Sequence, residues 1–121
     1  MVPRYRAGRW PITWCRLRRG LFGLREKPAP AEVIDLSVDG ALVLGPFDRN
    51  VRRGSVVPIE HAGARGLVQV RHVHDAPDPK LRFYGVQFVH LQPELRSLVH
   101  DLVAARRGDG GQIEQVWSKA R

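Results

Sequence analysis

Asp35 and Ser37 stand two residues apart in the stretch VIDLSVDGALVLG (33–45), and Gly40 follows three residues later. On an extended chain this spacing puts a carboxylate and a hydroxyl on one face, beside a glycine that lets a backbone or a ligand approach closely. The second chemical feature is arginine. Residues 1–27 carry eight basic side chains (Arg4, Arg6, Arg9, Arg16, Arg18, Arg19, Arg25 and Lys27) against one acid, Glu26, so +7 of the net +8 lies there. The other 94 residues are nearly neutral, with twelve basic and eleven acidic groups. An anion is therefore expected at the N-terminal arm and the loop that follows the first strand, and the neutral body argues against nucleic acid as the main partner.

These parts suit a small phosphorylated purine. An arginine fork matches phosphate oxygens and the O6/N7 edge of guanine, and its flat face stacks on a purine ring. A carboxylate accepts from the guanine N1–H and amino group. An arm that closes over a ligand loses conformational entropy as it orders, which makes it a natural switch. The plain alternative for Asp35, Ser37 and Gly40 is a solvated strand face ending in a bulge.

Other candidates are weaker. His72 and His74 share a face beside Asp75, without further ligands at metal-site spacing. Cys15, the single cysteine, falls in a predicted strand and reads as a buried thiol. Ser37 is not in a nucleophile elbow, and neither a phosphate loop nor a dinucleotide fingerprint is present. No catalytic constellation emerges, so the reading is not an enzyme, with no metal and no resident cofactor. No run approaches the ~18 apolar residues of a membrane span, and the start lacks a signal-peptide core, so a cytoplasmic location is expected.

The elements that must position these residues are mostly strands. Residues 10–17 read as a first strand, 18–31 as a basic loop broken by Gly20, Gly23, Pro28 and Pro30, and 33–45 as a second strand whose apolar side is Ile34, Leu36 and Val38. Further strands are predicted over 55–61, where Pro58 marks an edge or bulge, over 67–74 and over 81–89. Leu95, Leu98, Val99, Leu102 and Val103 then fall on one stripe of a helix over 93–107. The fold class is all-β, a small antiparallel barrel of about six strands with one C-terminal α-helix. An arm (1–9), a barrel domain with its helix (10–107) and a flexible tail (108–121) complete the predicted organisation.

The order of these features resembles the PilZ domain family, bacterial receptors for cyclic di-GMP. Asp35-x-Ser37-x-x-Gly40 is similar to the family's D/N-x-S-x-x-G motif, and Tyr84-Gly85-Val86-Gln87-Phe88 looks like its YGVxF strand. The resemblance spans about residues 4–107. It implies cyclic di-GMP as ligand, gripped by an R-x-x-x-R arm and completed by the Asp35–Gly40 strand. Arg9 stands where the second arginine of that arm falls, but the position four residues earlier is Tyr5, flanked by Arg4 and Arg6. The implied ligand-binding residues are Arg4, Arg6, Arg9, Asp35, Ser37 and Gly40, and the implied action is a receptor or adaptor that signals to a protein partner not yet identified. Two other readings stay open. One is a PilZ-fold adaptor that binds no nucleotide, and the other a nonspecific nucleic-acid or anionic-membrane binder acting through the basic arm and loop.

Overall fold

The computed structural model describes residues 10–21 and 23–107. Six strands, β1 (Trp10–Gly20), β2 (Gly23–Leu36), β3 (Gly40–Pro46), β4 (Val56–His61), β5 (Ala64–Asp75) and β6 (Leu81–Leu91), precede one helix, α1 (Pro93–Arg107). All strand pairs are antiparallel, and the order β1-β2-β3-β6-β5-β4 closes into a barrel. This is the fold class that the strand spacing predicts. No helix among the described residues is long and apolar enough to cross a membrane.

Alternating side chains fill the barrel: Ile12 and Trp14 from β1, Ala31 and Val33 from β2, Ala41 and Val43 from β3, Val57 and Ile59 from β4, Val68 and Val70 from β5, and Tyr84 and Val86 from β6. Trp14 and Tyr84, both fully buried, stack with ring centroids 5.1 Å apart. The Tyr84 hydroxyl donates to the Pro46 carbonyl at 2.8 Å and accepts the Asp48 N–H at 3.3 Å, which satisfies the buried phenol. Helix α1 lies over one end, with Leu95, Val99 and Val103 buried and Leu102 packed beside them. Its entry is fixed by Gln92, whose side-chain oxygen accepts from the Arg65 N–H at 2.8 Å while its own N–H reaches the Arg65 carbonyl.

Two expectations are corrected. The stretch 18–31 is not a loop. It continues β1 and forms the first part of β2, a hairpin paired without interruption from Trp10↔Val33 to Gly20↔Gly23. The stretch 33–45 is not one strand but the end of β2, a tight turn at 37–39 and most of β3. Nor is its buried side Ile34, Leu36 and Val38. Val33 faces Val43 and Leu36 faces Ala41, three residues apart on β2 but two on β3, and a bulge at residue 34 absorbs the extra residue. Val33 and Leu36 therefore both enter the core, and Val38 is exposed in the turn.

Gly40 begins β3 opposite Gln87, and a Cβ there would lie 2.1 Å from the Val86 carbonyl oxygen, which cannot move without breaking the β3–β6 ladder. Gly45 on the same strand offers a control, because its Cβ would meet only ordinary contacts at 3.6 Å or more. Gly40→Ala is expected to lower stability by about 3 kcal/mol or to prevent folding, and Gly45→Ala to change it by less than ~1 kcal/mol, as read by urea denaturation.

Candidate functional site

The β2–β3 hairpin is built by the motif itself. The Ser37 hydroxyl accepts the N–H groups of Asp39 and Gly40 at 3.3 and 3.2 Å and approaches the Gly40 carbonyl at 3.3 Å, while the Ser37 N–H donates to that carbonyl at 2.9 Å. A serine side chain that takes turn N–H groups closes a hairpin without special backbone angles. Ser37 is thus a turn residue rather than a strand-face residue, and Gly40 makes room for β6. Asp35 faces the same side as Leu42, Glu32 and Leu44, the outer wall of the barrel, and is 2% exposed.

Three carboxylates, Glu32, Asp35 and Asp39, gather on or beside this wall, and each is engaged. Next to them β1 begins. Trp10 pairs with Val33, and its indole Nε1 donates to His61 Nε2 at 3.1 Å, while His61 Nδ1 meets the Pro11 carbonyl at 2.9 Å. Both bonds form together only on the neutral Nδ1–H tautomer, so His61 pins the start of β1 from both sides. Arg9 is one peptide bond from Trp10. Arg4, Arg6 and Arg9 themselves lie outside the described residues, as does the tail 108–121.

The other predicted candidates are placed as follows. His72 and His74 stack with centroids 6.4 Å apart, and among the described residues no group of three or more His, Cys, Asp or Glu is arranged to hold a metal. Cys15 is buried; burial pushes its thiol pKa up, the nearby Glu26 carboxylate adds to the rise, Arg65 opposes it and Glu60 adds again. That is the reverse of what a nucleophilic thiolate needs.

Sequence reasoning missed Asp48. It is 5% exposed, its Oδ1 accepts the Asn50 N–H at 2.9 Å, and its Oδ2 faces Arg18 at 3.4 Å and Arg16 at 3.8 Å. The Asx turn was legible in Asp48-Arg49-Asn50. The arginine contacts were not, because they span some thirty positions and depend on β1 running past Leu17. A second ion cluster joins Arg65 to Glu26 at 2.7 Å and to Glu60 at 3.8 Å on the outer wall.

No protein-family model matches the chain, and no curated protein matches it.

Two outcomes follow. Ser37→Ala should cost about 1–2 kcal/mol of folding stability, since the turn N–H groups lose their acceptor, measured against wild type by thermal and urea melts. Cys15 should resist a disulfide reagent at neutral pH in the folded chain and react fully once the chain is unfolded in urea.

Proposed function

We propose that the chain is a PilZ-type receptor and adaptor for cyclic di-GMP, with the ligand held between the arginines of the arm and the wall at the β2–β3 hairpin. The observation that supports this reading best is the β1–β2 register. Trp10, the residue after Arg9, stands opposite Val33, two residues before Asp35, and in this reading the arm's arginines reach the carboxylates from there. In this reading Arg9, with Arg4 or Arg6, grips phosphate and the guanine edge, and Asp35 takes the guanine donors. Ser37 and Gly40 hold the floor in shape without spending their polar groups on the ligand. Ordering of the arm changes the surface shown to a protein partner.

A second reading, an adaptor of the same fold that binds no nucleotide, draws support from Ser37 and Gly40. Both have complete structural reasons to be what they are.

Calorimetric titration with cyclic di-GMP separates the two. The receptor gives binding heat and a raised melting temperature. Arg9→Ala and Asp35→Ala each weaken that binding by about 2–4 kcal/mol, the usual cost of removing one partner of a buried charge-assisted contact. Each variant's own melting temperature is measured alongside, because Asp35 is buried. Absence of heat and of any thermal shift with excess ligand leaves the adaptor.

A further inference from the structure

Beyond Trp14↔Ile59 strand β1 has no partner but β2, and before Glu32↔Leu44 strand β2 has no partner but β1. The residues beyond form a two-stranded ribbon that extends past the ladders joining it to the barrel, on the side away from α1. Residues directly opposite on an antiparallel pair share a face. Arg16 faces Lys27 and Arg18 faces Arg25, so one face of the ribbon carries four cations in two opposed pairs. Like charges directly opposite one another are unfavourable. Asp48 meets two of the four, and Arg16 Nε has no acceptor among the described residues. Glu26 lies on the other face, bound to Arg65.

The same ribbon exposes leucines. Leu21 at the turn is 97% exposed, Leu24 beside it 69%, and Leu17, diagonal to Leu24 on the face opposite the two cation pairs, 46%. Single exposed leucines are ordinary, but three on one projecting hairpin are not scattered.

We infer that the β1–β2 ribbon is a membrane-contact element, which inserts Leu21 and Leu24 into the surface of an anionic bilayer while Arg18, Arg25 and Lys27 meet lipid phosphates. The dimensions suit this. Arg18 and Arg25 sit two residues behind the Gly20–Gly23 pair, about 7 Å at strand rise. Apolar side chains of interfacial elements reach ~5–10 Å into the boundary between headgroups and acyl chains, so a tip at that depth sets the cations at phosphate level. Nucleic acid would use the cations and leave the leucine tip in water. A second copy of the chain would oppose two cationic ladders.

The experiment is sedimentation of the full chain, without nucleotide, with vesicles of phosphatidylcholine alone and of phosphatidylcholine mixed with phosphatidylglycerol. The wild type should pellet with the mixed vesicles only. Leu21→Ser with Leu24→Ser, which leaves net charge unchanged, should weaken that binding by about tenfold or more. Arg18→Gln with Arg25→Gln should weaken it by roughly twenty-five-fold, near fivefold per cation. A chain with Arg4, Arg6 and Arg9 all changed to Gln should keep its dependence on the leucines. The inference fails if the leucine variant binds like wild type, if no vesicle binds, or if a DNA duplex binds through the cations independently of the leucines while vesicles do not. Arg18, Leu21, Leu24 and Arg25 lie outside the barrel core, and unchanged circular dichroism and melting confirm that each variant is folded. None of these outcomes depends on cyclic di-GMP.

Discussion

Strand β3 can lie against β6 only because residue 40 has no Cβ, and the Val86 carbonyl occupies the place where one would be. From that contact the register of β3 runs on without a break, Gly40↔Gln87 through Pro46↔Leu81, and joins the first three strands to the last three. Once β3 is set, β2 must place both Val33 and Leu36 inside although they differ in parity. The bulge at residue 34 meets that demand. Its consequence is chemical: Asp35, which an unbulged strand would turn toward the core with Val33, faces the outer wall near the start of β1. One missing methyl group thereby decides where the carboxylate of the motif sits.

Proline sets the other boundary. The β1–β4 ladder comprises Thr13↔Glu60 and Trp14↔Ile59, and the next position on β4 is Pro58, which has no N–H to donate. Similarly, β2 and β3 cease to pair short of the level at which Pro30 would oppose Pro46, and Pro28 lies further along the same free edge. Prolines at unpaired edges also discourage another chain from adding a strand. The ribbon thus begins where donors run out on both sides. Asp48 stands under its base, and its contacts to Arg16 and Arg18 offset cross-strand repulsion of roughly 0.2–1 kcal/mol per like pair.

Legibility followed locality. The helix was readable because Leu95, Val99 and Val103 repeat on one face, and the barrel because the strands and turns from 55 to 89 keep their spacing. The hairpin was misread as a loop because Gly20, Gly23, Pro28 and Pro30 look like breakers. Two flank a turn and two occupy free-edge positions, the places in a sheet where these residues are tolerated. The apolar alternation of Ile34, Leu36 and Val38 misled for another reason. It is a true period of two, but a bulge and a turn interrupt it, and neither leaves a mark in the local pattern. At the site, the grouping of Asp35, Ser37 and Gly40 was legible, while the division of labour among them was not. That division depends on where β6 lies, some 46 positions downstream of Gly40 at Val86.

The acidic wall near the start of β1 and the cationic ribbon stand at opposite ends of the same two strands. The β1–β2 ladder is continuous over all 11 residues of β1, and Ile12 and Trp14 in its first half are core residues. A slip of β1 by one residue would turn both side chains out of the barrel and move Arg16 and Arg18 to the other face of the ribbon, so sliding is forbidden by the cost of exposing a tryptophan and an isoleucine. Past Trp14 only one ladder holds each strand. The barrel end fixes the direction in which the ribbon leaves, and Asp48 meets Arg16 and Arg18 at its base. The ribbon is held to the frame of the barrel by the hydrogen bonds of that single ladder.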